Sequence, residues 1–201
     1  MNDNAQMVAP RPPSAPGKLR IIGGSLRGSR LAVPDVPGLR PTPDRVRETL
    51  FNWLAPVVEG AHCLDLFAGT GALGLEALSR GAAQVDFVET DAKLAALLRE
   101  NLARLKQAAH VHVADAQRHL AQAGSRYDLV FLDPPFAANA WAQVAQTLEA
   151  SGRLAATAWI YVESPTNAAF DLPQNWLPHR DGRAGDVRFA LYRRRMASVK
   201  L

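Results

Sequence analysis

From residue 61 onward, short apolar runs alternate with stretches whose hydrophobic positions recur every three or four residues. HCLDLF (62–67), QVDFVE (84–89), HVHVAD (110–115), YDLVFLD (127–133) and WIYVES (159–164) are rich in Val, Ile, Leu, Phe and Tyr, as strands buried in a parallel sheet tend to be. The clearest helix between them is 92–105. There Leu94, Leu97, Leu98, Asn101, Leu102 and Leu105 share one face, Lys93, Arg99, Glu100 and Arg104 lie elsewhere, and Asp91 stands as N-cap. Strand and helix in alternation predict right-handed βαβ crossovers and a doubly wound sheet. The last segments differ: Trp176 to Arg180, then DGRAGD, then VRFALYRR predict two antiparallel strands joined by a polar turn at the sheet edge. Before the main domain, KLRIIGGSLRGSRLAVP alternates apolar and basic residues around Gly23, Gly24 and Gly28, which predicts a small β-hairpin with an arginine-bearing face. A helix is expected next, with Thr42 as N-cap, Pro43 in its first position, and Val46, Leu50, Trp53 and Leu54 as its apolar stripe.

A length of 201 residues with 48% hydrophobic content suits one domain with a full core. Residues 1–17 hold four prolines and no apolar h-region, so they read as a disordered leader; 18–41 form the basic hairpin extension and 42–201 the main domain. Cys63 is the single cysteine, and no apolar run approaches the roughly 20 residues of a membrane span. A cytoplasmic protein without disulfides or membrane partner is expected. Charge is unevenly placed. Residues 1–47 carry eight Lys/Arg and three Asp/Glu (+5), 48–179 eight and fourteen (−6), and 180–201 seven and two (+5). Basic ends around an acidic middle suggest that both termini help hold a polyanion, solubility decoration being the plain alternative.

The chemistry concentrates where strands end. DLFAGTGALGLEAL places Asp65 at a strand end and Gly69, Gly71 and Gly74 in the turn before a helix. Such glycines serve nicotinamide and S-adenosylmethionine sites alike. Asp65 favours the latter, because a carboxylate there can meet the ammonium of a methionine group but would repel a pyrophosphate. Glu89 ends the next strand, where a carboxylate can take both ribose hydroxyls of an adenosyl group. Asp115, followed by Ala116, can face the adenine amine and ring, or be an ordinary strand-ending acid. Phe67 and Thr90, beside Gly69 and Glu89, are grouped with the cofactor residues.

The fourth strand ends in Asp133-Pro134-Pro135-Phe136. Prolines lack N–H groups, so carbonyls beside them stay available to a planar amine. Asp133 and the Pro134 carbonyl can hold an –NH2 group while Phe136 stacks on the ring bearing it. Accepting its protons in hydrogen bonds disfavours delocalisation of the amine lone pair and aims it at an electrophilic methyl group. The five histidines and Cys63 show no metal-ligand spacing, and there is neither a phosphate loop nor a nucleophile elbow.

With RIIGGSLRGSRL, RPTPDRVRETLFNWL, DLFAGTGALGLEALSRGA, VETD, DA and LDPPF in this order, the sequence resembles the class I methyltransferases. More narrowly it is similar to the RsmD-type bacterial 16S ribosomal RNA guanine-N2 methyltransferases, over nearly everything after the leader. The glycine loop and DPPF are generic to amino-methylating enzymes; the arginine-rich hairpin and RPTPDRVRETLFNWL are more particular. The resemblance implies an α/β, Rossmann-like, mostly parallel seven-stranded sheet, with Asp65, Gly69, Gly71, Glu89, Asp115 and Ala116 lining S-adenosylmethionine. It also implies that Asp133, Pro134, Pro135 and Phe136 hold a guanine of 16S ribosomal RNA, recognised by a monomer in an assembled or partly assembled small subunit. Arg20, Arg27 and Arg30 of the hairpin are expected to contact RNA. The leader has no counterpart in the family pattern, and Pro43 stands where threonine is more usual. Adenine N6 methylation, a non-catalytic ribosome-assembly factor and, last, a nicotinamide oxidoreductase are the alternatives.

Overall fold

The computed structural model describes residues 17–33 and 42–195; of the expected leader only Gly17, which opens a strand, lies within these, and 1–16 and the end of the hairpin extension, 34–41, fall outside. Seven strands form one sheet: β3 (His62–Asp65), β4 (Gln84–Glu89), β5 (His110–Val113), β6 (Tyr127–Leu132), β7 (Leu154–Pro165), β8 (Trp176–Ala184) and β9 (Val187–Arg194). Their order is β5-β4-β3-β6-β7-β9-β8. The first five are parallel, and β9 runs antiparallel between β7 and β8. Connections from β3 run one way to β4 and β5, and those from β6 the other way to β7. The β3/β6 boundary is therefore the switch point at whose carboxyl edge ligands settle in open α/β sheets.

Helices cover both faces. On one lie α1 (Asp44–Leu54), α2 (Ala72–Ser79) and α3 (Ala92–Arg104); on the other, α4 (Ala116–Leu120) and α5 (Trp141–Ala150). The period-two alternation of strands sorts the core: Leu129, Phe131 and Tyr161 join Leu50, Phe51 and Leu75, while Val130, Leu132 and Ile160 join Trp141, Val144 and Leu148. Gly74 is the position where α2 touches the sheet, and a Cβ there would collide with the Phe87 ring. No described helix is long and apolar enough to cross a membrane.

Three expectations need correction. Thr42 does not cap α1: the helix begins at Asp44 after Pro43, without a side-chain cap, and the Thr42 hydroxyl donates instead to Glu163 at 3.4 Å. The C-terminal turn is only Gly185-Asp186, because DGRA continues β8. Gly182 there is a strand residue covered by the ring of Phe189, its partner across the ladder. β7 also starts earlier than the strongly apolar WIYVES run, at Leu154, with a register irregularity opposite Tyr127 and Leu129.

The basic segment does form a hairpin, β1 (Gly17–Arg20) with β2 (Arg30–Val33), in a sheet of its own. It is firmly integrated: Leu19, Ile21, Leu31 and Val33 enter the core beside α1 and α2. Glu76 of α2, wholly buried, accepts the N–H groups of Ile22 (2.9 Å) and Gly23 (2.8 Å) and pairs with Arg80 (2.8 Å) and the equally buried Arg47 (3.5 Å). Arg47 in turn donates to the carbonyls of Arg20 (2.9 Å) and Thr42 (3.2 Å) and to Asp44 (2.5 Å).

Candidate active site

Five acids gather at the carboxyl ends of the parallel strands. Asp65 closes β3, Glu89 closes β4, Asp115 follows β5, Asp133 follows β6 and Glu163 lies near the end of β7. Asp65 is 3% exposed and accepts the Gly74 N–H at 3.0 Å, which ties the strand end to the first turn of α2. Burial, opposed in part by that bond and reinforced by the charge of Glu89, raises its pKa to about 7. Gly69 and Gly71, at φ 51° and 77°, occupy the left-handed region that the tight turn requires. The Gly69 N–H donates to Glu89 Oε2 at 2.7 Å, while Asp91 N–H (2.8 Å) and the Thr90 hydroxyl (3.3 Å) reach Oε1. Glu89 thus sets the shape of the glycine loop. Phe67, part-buried, packs against the α4/α5 side of the core. Asp91 caps α3, and Asp115 caps α4 through the N–H groups of Gln117 (2.9 Å) and Arg118 (3.3 Å), with Ala116 buried behind it.

After β6 the chain turns through Asp133-Pro134-Pro135 into a short 3-10 turn, Phe136–Ala138. Among the described residues no donor reaches the Asp133 carboxylate or the Pro134 carbonyl, whereas the Pro135 carbonyl is taken by Ala138 N–H at 2.9 Å. Burial and the neighbouring Glu163 and Asp65 push the Asp133 carboxyl well above its ordinary range. Phe136 leaves 39% of its surface exposed and leans on the buried Trp141, ring centroids 5.9 Å apart. The two rings are tilted by 51°, so Trp141 braces Phe136 while part of the Phe136 ring stays exposed to a planar ligand.

Glu163 was not among the sequence candidates. It is 6% exposed, and its Oε2 accepts the Tyr161 hydroxyl at 2.8 Å besides that of Thr42. The signal available was one acid closing an otherwise apolar strand. Two of the arginine candidates, Arg20 and Arg30, are cross-strand partners in the hairpin. Arg20 pairs with Asp44 at the start of α1, near the acids. Arg27 lies in the hairpin turn that packs on Ser79 at the C-terminal end of α2, and the carbonyl of Arg30 receives Arg104 at the C-terminal end of α3. α2 starts at the crevice, so Arg27, in the turn against its C-terminal end, stands a helix length of about 12 Å away, whereas Arg30 faces Arg20 across the β1–β2 ladder.

None of the five acids pairs with a lysine or arginine among the described residues, nor does any described cluster of His, Cys, Asp and Glu suit a metal ion. Acids held together without a counter-cation fit a ligand carrying positive charge, and S-adenosylmethionine brings both an ammonium and a sulfonium. The strand order, the glycine turn with its acids and the DPPF turn define a class I methyltransferase with S-adenosylmethionine as cofactor. The family described as conserved hypothetical protein 95 matches residues 19–193. Ribosomal RNA small subunit methyltransferase D of Escherichia coli K12 is 52% identical over 183 residues, covering 90% of this chain and 92% of its own. The Haemophilus influenzae protein of the same name is 43% identical, covering 90% and 96%. A solved Escherichia coli methyltransferase structure superposes with TM-score 0.84 at 49% identity, covering 90% of this chain and all of its own. The chain belongs to the ribosomal RNA small subunit methyltransferase D family.

The place of Glu89 leads to a direct expectation. Glu89→Ala removes the carboxylate expected from the sequence to take the ribose hydroxyls, together with the anchor of Gly69. Cofactor affinity should fall more than about tenfold, since a hydrogen bond to a charged group contributes roughly 1.5–3 kcal/mol. Unchanged affinity by calorimetry would remove Glu89 from the cofactor site.

Proposed function

We propose that this protein transfers a methyl group from S-adenosylmethionine to the exocyclic N2 amine of a guanine in 16S ribosomal RNA. It acts as a cytoplasmic monomer on an assembled or partly assembled small subunit. The observation that carries the reading is the pair of unengaged acceptors, Asp133 carboxylate and Pro134 carbonyl, beside the open ring of Phe136. When bound, S-adenosylmethionine supplies an electrophilic methyl group on a cationic sulfur. Asp65 meets the methionine ammonium, Glu89 the ribose hydroxyls, and Asp115 with Ala116 the adenine. Phe67, Gly69, Gly71 and Thr90 complete the wall.

Asp133 and the Pro134 carbonyl accept the two amine protons. The nitrogen lone pair is thereby turned out of conjugation with the base, and Phe136 fixes the plane of the ring. The positive charge of a bound cofactor would offset the burial and the neighbouring acids that hold the Asp133 carboxyl neutral, and in its charged form Asp133 also stabilises the positive charge that grows on the nitrogen. Methylated bases mapped in small-subunit RNA incubated with enzyme and labelled cofactor test the reading. N2-methylguanine is expected; N6-methyladenine would refute the base assignment, and no transfer to any RNA or particle would favour a binding-only protein.

Two further results are expected. Because the Asp65 pKa is raised to about 7, binding a cation there must expel a proton when the pH is below that value. Cofactor affinity should therefore weaken as pH falls below 7, by up to about tenfold per unit, and Asp65→Asn should bind weakly with a flattened pH dependence. Proton release that is absent in buffers of differing ionisation enthalpy would contradict this. Arg27→Glu with Arg30→Glu should lower RNA affinity and its salt slope while cofactor affinity stays intact, because among the described residues neither arginine pairs with an acid of the crevice. An unaltered salt slope would make the hairpin face a solvated surface only.

A further inference from the structure

The mechanism above leaves Glu163 without a task, although it is the buried acid nearest Asp133 along the sheet edge. Val162 pairs with Leu132 in the parallel β6–β7 ladder, so Glu163 and Asp133 follow side by side on neighbouring strands, one strand spacing of roughly 4.8 Å apart. Phe131 and Tyr161 point to the α1–α3 face and Leu132 and Val162 to the other, so the alternation returns Asp133 and Glu163 to the same face. The residue is held from three directions. Hydroxyls of Tyr161 (2.8 Å) and Thr42 (3.4 Å) converge on Oε2, and the Trp141 indole N–H donates to its backbone carbonyl at 2.7 Å. Oε1 meets no donor among the described residues. Trp141 is also the ring that supports Phe136, so the stacking platform and this carboxylate share an anchor.

Resting on the guanine-N2 reading, we infer that Glu163 selects the base, its Oε1 accepting the N1–H that adjoins the target amine. Guanine presents two neighbouring donors there, N2–H and N1–H, and one acceptor oxygen from each of the two side-by-side carboxyl groups complements them. Adenine offers an amine beside a bare N1 lone pair, which would face a carboxylate with no proton between them. A site that leaves a buried polar group unpaired rejects the wrong ligand more strongly than one that only loses a contact. The two hydroxyl donors fix Oε2 as the inward acceptor and turn Oε1 outward, which makes this oxygen a specificity determinant rather than a second holder of the amine.

The test compares small-subunit RNA carrying guanine or 2-aminopurine at the methylated position, the latter keeping the N2 amine but having a lone pair in place of N1–H. The parent should methylate guanine faster by roughly tenfold or more, measured as kcat/KM. In Glu163→Gln the amide oxygen takes the Tyr161 and Thr42 hydroxyls, so its NH2 faces the base and can donate to a lone pair. The preference should then shrink at least tenfold or invert toward 2-aminopurine, a change that mere loss of structure would not produce. If that variant fails to fold, Glu163→Asp, which withdraws the acceptor by one methylene, must show the same fall in ratio. A parent indifferent to the two bases, or a folded variant keeping the parental ratio, overturns the proposal while leaving guanine-N2 transfer standing. A parent that methylates adenine N6 instead overturns the functional reading itself, and this inference with it.

Discussion

Asp133→Ala is expected to slow single-turnover methyl transfer by on the order of 10²–10³, with cofactor and RNA affinity little changed. The carboxylate receives no hydrogen bond from the described protein, so its removal leaves no orphaned donor in the fold. Its interaction with the amine strengthens only as the nitrogen loses planarity and gains charge, and the loss should fall on the chemical step. Asp133→Asn keeps one acceptor oxygen and the shape but not the charge, and should retain partial activity. Parental rates in Asp133→Ala, measured on small-subunit particles, would remove this residue from the reaction.

The largest effect on stability is expected at Glu76. Substitution by Ala would leave Arg47 as a buried charge without its carboxylate partner on α2, and the N–H groups of Ile22 and Gly23 without acceptors. Breaking a buried pair from one side typically costs about 3–5 kcal/mol. Urea unfolding should show a loss of that order, with the hairpin the first segment to lose amide-exchange protection. A loss under about 1 kcal/mol would mean that core packing alone holds the hairpin in place.

Much of this was legible in the chain because it is local. Strand runs such as QVDFVE, the Asp91 cap and the glycine turn carry their instructions within a few residues, and β4, α3 and the loop before α2 form where the pattern predicts. Glu163 was not legible because its meaning lies in register: only the pairing of Val162 with Leu132 sets it beside Asp133. Thr42 misled for a related reason. A threonine before a proline and an acid is a good local cap, but the hydroxyl is drawn to a carboxylate 121 residues away. Glu76 sits in a helix that is otherwise apolar, and nothing within α2 announces that its partners are the backbone of the N-terminal hairpin. DGRAGD looked like a turn because glycine and aspartate favour turns, yet the ring of Phe189 turns Gly182 into a strand position.

The insertion of β9 between β7 and β8 constrains how the molecule is made. Among the described residues β8 has β9 as its single ladder partner, and β7 presents the edge Trp159–Pro165 to β9 along seven paired positions. Until residues 187–194 are synthesised and free to move, that edge is an open template for any extended chain nearby. A nascent polypeptide paused before β9 would therefore be the aggregation-prone species, and chaperone demand should peak at that length rather than at any earlier βαβ boundary.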